Sequence, residues 1–117
     1  MKSKPKLSLN PIVVELSRLV NVEDGWNGNN SKAPTYAAIK EAMVFARNLP
    51  SRLPIPIVNY TEDGRISIFW SYGRTNLNIN FSGNGTYSYA ARFGNKVHKA
   101  ENIPYNKLLP EEVLKGL

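Results

Sequence analysis

The chain has 117 residues and carries 15 Lys and Arg against 9 Asp and Glu, a formal net charge of +6. With 42% hydrophobic and 21% charged residues it has the composition of a folded chain, which excludes disorder as the main state and any collagen-like or low-complexity architecture. Zero cysteines and one histidine exclude disulfides, thiolate metal sites, a cysteine nucleophile and multi-histidine metal centres.

This length fits one domain and hides roughly two-thirds of the open chain's surface on folding, enough for a core without staples. Half of the positive excess lies in Lys2, Lys4 and Lys6. Residues 1–9 therefore read as a flexible basic arm, and residues 10–117 as a single α+β domain. Such an arm is either a frayed, solvated terminus or a non-specific phosphate contact. Pro5, Ser8, Asn10 and Pro11 interrupt any apolar signal segment, and Ile12 to Val14 is too short to span a bilayer. A cytoplasmic location without membrane attachment is the expectation. Asn84-Gly85-Thr86 fits the glycosylation pattern but, without secretion, reads as a turn.

Asn10-Pro11 is a helix opening, a capping side chain followed by Pro at the first helical position. Ile12, Leu16, Leu19 and Val20 then form one apolar stripe. Residues 21–32 are turn-forming, and Trp26 sits inside them. That ring either plugs into the core and anchors the loop, or stands exposed as a recognition aromatic. A second helix opens at Pro34 or Thr35, with Ile39, Ala42, Met43, Ala46 and Leu49 as its buried face, and ends at Pro50. Pro54 and Pro56 make 55–60 an edge strand. Three strand signals follow, separated by Asp63-Gly64, Tyr72-Gly73-Arg74 and Gly83-Asn84-Gly85. Ile66, Ile68 and Trp70 alternate with Ser67, Phe69 and Ser71; Leu77, Ile79 and Phe81 with Asn76, Asn78 and Asn80; and Tyr87, Tyr89 and Ala91 with Thr86, Ser88 and Ala90. Phe93 and Val97 extend the pattern across Gly94-Asn95. Pro110, Glu111 and Glu112 open a short C-terminal helix. The expected architecture is two N-terminal helices packed on one face of a three- to five-stranded antiparallel meander, with a short C-terminal helix.

Catalytic constellations do not assemble from these residues. His98 has Glu101 as its one nearby carboxylate and no nucleophile elbow around it. Glu62-Asp63 and Glu111-Glu112 sit where turn and helix-end electrostatics place acids. Glu23-Asp24 is a cap or a weak cation ligand, since a tight Ca²⁺ site needs about six oxygens. The chain is read as a non-enzyme, with no cofactor and no metal.

Period-2 alternation leaves the meander with one wet face, carrying Ser67, Phe69, Asn78, Asn80, Ser88 and Arg92. Asn76, Asn78 and Asn80 are unusual there, because Asn is a poor strand former. The functional reading is a protein-docking surface of Phe69, Asn78, Asn80 and Arg92, with Trp26 at its rim. The plain reading is a solvated sheet face. The alternative function is nucleic-acid binding through Lys2, Lys4, Lys6, Arg65, Arg74, Arg92, Lys96 and Lys99, with aromatics stacking bases. Parity works against it, since Trp70, Tyr87 and Tyr89 fall on the dry side.

The order of short helix, Gly25-Trp26-Asn27-Gly28, Ala33-Pro34, Leu49-Pro50, Asp63-Gly64, the Ile66 to Trp70 strand, Gly85-Thr86-Tyr87-Ser88-Tyr89 and a closing Ile103-Pro104 to Leu114 resembles a group of small bacterial proteins. These carry a W-[DN]-G loop before a Pro-started helix and a following antiparallel sheet. The likeness covers about residues 10–116 and rests on structural punctuation rather than catalytic residues. Chains of this size and style look similar to accessory proteins of mobile elements, including antitoxins and phage counter-defence inhibitors. That likeness is one of size and style and carries no activity over to individual residues; the expectation of a protein partner covered by the chain, as by an antitoxin or inhibitor, rests on the polar sheet face and the missing catalytic groups.

Overall fold

The Asn10 side chain accepts hydrogen bonds from the backbone N–H groups of Ile12 (2.9 Å) and Val13 (3.4 Å). Pro11 takes the next position, where its missing N–H leaves no bond unmade. In this computed structural model, which describes residues 10–28 and 30–117, α1 runs Pro11–Arg18 and tightens into a 3₁₀ turn at Leu19–Asn21. The basic arm expected at 1–9 lies outside the described residues. The tightening raises the angular step from about 100° to about 120° per residue. Leu19 stays buried, but Val20, expected on the apolar stripe, swings out and is 54% exposed.

Helix α2 runs Tyr36–Arg47, and the Thr35 hydroxyl accepts from the Ala38 N–H at 3.1 Å. Its buried face is rotated from the expected one. Ala38, Ala42 and Phe45 are its centre; Ile39 and Ala46 are buried beside them, Met43 is half-buried and Leu49 lies beyond the helix end. Phe45 explains the rotation: its ring packs edge-on at 5.3 Å from Phe81 and 4.9 Å from Tyr87, filling the space between helix and sheet.

The described residues form five strands: β1 (Ile57–Tyr60), β2 (Ile66–Tyr72), β3 (Thr75–Phe81), β4 (Thr86–Phe93) and β5 (Lys96–Pro104). Each pairs antiparallel with the next, giving a meander in sequence order. With three α-helices, the last being α3 (Glu111–Gly116), the fold is α+β. Ile66, Ile68 and Trp70 are fully or nearly buried, as are Leu77, Ile79, Phe81, Tyr87 and Ala91. These are the dry-side residues of the period-2 pattern. Across β4 and β5 the register slips: Tyr87 faces Ile103 while Tyr89 faces Ala100, so β5 carries one extra residue. Asn102 absorbs this bulge with φ 60°, a left-handed conformation that Asn tolerates.

Two contacts lock α2 onto the β3–β4 hairpin. Both carboxylate oxygens of Glu41, a residue 9% exposed, accept from the Gly85 N–H at 3.1 and 3.2 Å. Gly83, at φ +85°, lies so close to the helix start that an added Cβ would stand 2.9 Å from Thr35 Oγ1 and 3.0 Å from Ala38 N. The C-terminal segment closes beneath β4. The Tyr87 hydroxyl donates to the Lys107 carbonyl at 2.8 Å, and Val113 and Leu114 are buried.

Gly83→Ala is expected to lower stability by roughly 2 kcal/mol or more, combining left-handed strain with overpacking, read as a shift in the urea midpoint. Burial also pushes the Tyr87 phenol up to about 12. The folded state therefore holds a proton that the unfolded chain releases near pH ~10. This contribution is full below pH ~10 and is lost as pH rises through about 12. Tyr87→Phe should flatten the alkaline fall in unfolding free energy; an unchanged fall would remove Tyr87 as its source.

Candidate functional site

Because successive side chains alternate, commitment of one face to the core leaves the other face on display. Register lines up its rows. Ile57, Phe69, Asn78, Ala90 and Lys99 run across all five strands. Beside them run Asn59, Ser67, Asn80 and Ser88 on one side, and Ser71, Asn76, Arg92 and Val97 on the other. Asn76, Asn78, Arg92, Val97 and Lys99 are exposed, while Phe69, Asn80 and Ser88 are half-buried among their neighbours.

Asn76 and Asn78 are held rather than loose. Ser67 Oγ donates to Asn78 Oδ1 at 2.7 Å, and Ser71 Oγ donates to Asn76 Oδ1 at 2.8 Å. Cross-strand bonds of this kind offset the low strand propensity of Asn. They also set orientation. With each carbonyl oxygen engaged by a serine, the –NH₂ ends are what the face presents. The result is a patch of fixed neutral donors flanked by the cations Arg92 and Lys99. A shallow cavity of about 280 Å³ opens beside Phe69, lined by Asn59, Ser67, Asn78 and Asn80. A smaller one of about 170 Å³, with Arg65, Ser88, Glu101 and Asn102 at its walls, shares Asn80 with it.

Four of the expected docking residues, Phe69, Asn78, Asn80 and Arg92, thus share this face. Trp26 is placed elsewhere. Its Nε1–H donates to the Lys32 carbonyl at 2.9 Å, and its ring packs edge-on against Tyr60 at 4.8 Å. Tyr60 is in register with buried Ile66, so Trp26 lies toward the core side of the β1–β2 corner, not beside Phe69. It remains 38% exposed, so it anchors its loop at the surface instead of plugging into the core. Ile57 and Val97, 56% and 53% exposed, join the face without having been singled out. The alternation of β1 carries the Ile57 signal once the 61–65 turn sets the register.

The basic set expected for nucleic acid does not gather in one place. Arg65 pairs with Asp63 at 3.1 Å, and Arg74 donates to Asn95 Oδ1 at 3.3 Å. The hydrogen bond from Thr61, then Arg65, holds the Asp63 carboxyl below its usual range. Lys96 is in register with Phe93, which packs against the core, so it belongs to the opposite side from Arg92 and Lys99. Lys2, Lys4 and Lys6 lie outside the described residues. Two of the loop acids are engaged within the scaffold: Asp24 Oδ1 accepts from the Ala33 N–H at 2.8 Å, and Glu62 Oε2 from the Asn27 side chain at 3.0 Å. His98 is half-buried, 5.9 Å from the Phe93 ring. Among the described residues no group of three or more His, Asp or Glu side chains is arranged to hold a metal, and no helix is long and apolar enough to cross a membrane.

No family model, curated protein or solved structure matches the chain.

Ser67→Ala removes the restraint on Asn78. The expected result is a stability loss of about 1 kcal/mol and a shift and broadening of the Asn78 side-chain amide resonances. Unmoved resonances would show that the serine does not orient this amide.

Proposed function

We propose that the chain is a non-enzymatic protein-binding module of the antitoxin or inhibitor kind, acting in the cytoplasm by covering a partner's surface with the open face of its sheet. In this reading α1 and α2 back the opposite face and hold the strands in shape. The observation that carries it is the pair of serine-held amides, Asn76 and Asn78, displayed beside Arg92, Lys99 and the apolar Ile57–Phe69 pair. Oriented donors need little ordering on contact, which lowers the entropic cost of association. An apolar centre with polar surroundings is the anatomy of a protein-docking patch. The donor-rich chemistry selects an acceptor-rich partner surface, one of carboxylates and free backbone carbonyls.

The engagement of Glu41, Asp24 and Asp63 within the scaffold supports the non-enzymatic side of this reading. The burial of Trp70, Tyr87 and Tyr89 favours protein over nucleic acid, because those rings are unavailable as a stacking platform.

The test is capture of the native partner by tagged full-length chain from its own host. Phe69→Ala combined with Asn78→Ala should reduce recovery at least tenfold, on the order of 1.4 kcal/mol, with the folded circular-dichroism spectrum retained and the denaturation midpoint lowered by the loss of the Ser67–Asn78 bond. Undiminished recovery by the folded double variant overturns the proposal. Oligonucleotide binding that falls steeply between about 50 and about 200 mM salt would put nucleic acid in the partner's place.

A further inference from the structure

Helix α2 carries a second surface, about half a turn around from Phe45. The outer face of a helix in a layered fold is normally polar. Here Tyr36 is 74% exposed on it, and Val20, turned out by the 3₁₀ step at the end of α1, is 54% exposed beside it. Between the two helices lies a groove of about 450 Å³, floored by Ile39, Met43 and Val44. The start of α1 sits by the end of α2, where the Asn10 side chain donates to the Ala46 carbonyl at 3.1 Å, so the helices run antiparallel and the groove follows their length. From Tyr36 to Arg47 the helical rise gives it about 16 Å, or three turns.

Its charges have one sign. Lys40 and Arg47 flank the floor, and no acidic residue lines it. Seven residues apart, they stand on the same side of α2, about 10 Å from each other. The nearest acids in sequence are engaged elsewhere: Glu15 with Arg18 at 3.5 Å, and Glu41 with the Gly85 N–H.

We propose that this groove docks a short acidic amphipathic helix of a protein partner. Such a helix lays apolar residues spaced i, i+4, i+7 over Tyr36, Met43 and Val20, and sets carboxylates seven residues apart against Lys40 and Arg47. A third helix is the natural filler of a groove between two others, because it buries the exposed Tyr36 and Val20 while its own backbone is already hydrogen-bonded. A second copy of the chain would set cations against cations, and the lysine-bearing residues 1–9 carry the same unfavourable sign. This site is separate from the sheet face and does not depend on it.

The probe is a fluorescein-labelled helical peptide of about 14 residues, long enough to hold a helical conformation, with Leu at i, i+4 and i+7 and Glu at the two flanking positions. The full chain should bind it with micromolar affinity. Tyr36→Ala should weaken binding, and Lys40→Glu with Arg47→Glu should weaken it at least about tenfold. A peptide with Lys in place of Glu should bind that charge-reversed variant and not the natural chain, a rescue that also proves the variant folded. The Phe69→Ala/Asn78→Ala variant should bind the acidic peptide unchanged, which separates this site from the sheet face. Absent binding, equal affinity for a scrambled peptide of the same charge, or failure of the charge swap overturns the proposal. So does a dimer, seen by sedimentation velocity, that Tyr36→Ala dissociates.

Discussion

The seat of α2 on the β3–β4 hairpin governs the rest of the molecule. An aromatic wedge, one carboxylate and two glycines make it: Phe45 set between Phe81 and Tyr87, Glu41 receiving the Gly85 N–H, and Gly83 pressed against Thr35 and Ala38. The aromatic cluster supplies the area removed from water, and the carboxylate supplies direction. A buried carboxylate needs a donor, and an N–H at the tip of a tight turn has no ladder partner of its own. Each satisfies the other, so the helix can sit at one height and one rotation. That rotation puts Phe45 inside and, half a turn away, leaves Tyr36, Lys40 and Arg47 outside.

From this seat the chemistry of the sheet follows by parity. Phe81 and Tyr87 face α2, so Asn80 and Ser88 face away, and the alternation carries along β3 and β4 to Asn78, Asn76 and Arg92. A one-residue slip in either strand would bury the asparagines and expose Ile79. The cost of burying an amide without partners makes that slip expensive, so the amide row protects the register while serving as surface. The free edges are blunted in different ways. Pro54 and Pro56 precede the four-residue β1, and the Tyr60 N–H is taken by the Asn59 side chain at 2.9 Å. Strand β5 carries Lys96, Lys99 and a bulge at Asn102. Both are means of discouraging further strand addition, which leaves faces rather than edges for docking.

The legibility of the sequence tracks the range of the physics involved. The apolar parity of Ile66–Trp70, Leu77–Phe81 and Tyr87–Ala91 depends on adjacent residues and was readable, as were the caps at Asn10 and Thr35. The wet-face positions of Phe69, Asn78, Asn80 and Arg92 followed from that parity. What was not readable depends on partners distant in the chain. Phe45 and Glu41 take their positions from residues about 40 places on, and a helical pattern in which Ile39, Met43 and Ala46 look equally apolar cannot choose between rotations. Val20 left its stripe because a 3₁₀ turn replaced the last α-turn. Trp26 was separated from Phe69 because Tyr60, not the core, took its ring. The serine restraints on Asn76 and Asn78 need the register of two strands, which no single strand contains.

The two proposed surfaces have a common electrostatic logic despite facing opposite ways. On the sheet, donors are neutral and fixed, with Arg92 and Lys99 at the margin; in the groove, the floor is apolar and the rims are Lys40 and Arg47. Neither surface presents a run of cations dense enough to follow a phosphate backbone. Cations at the margin of an apolar or amide centre instead steer an acidic protein and penalise a basic one, while the desolvated centre sets how long it stays. On the proposed reading, a basic chain with such surfaces would discriminate by sign at long range and by shape and hydrogen bonding at contact. That division of labour is what a protein that acts by covering another requires, since it must find one acidic surface among many and then hold it without chemistry.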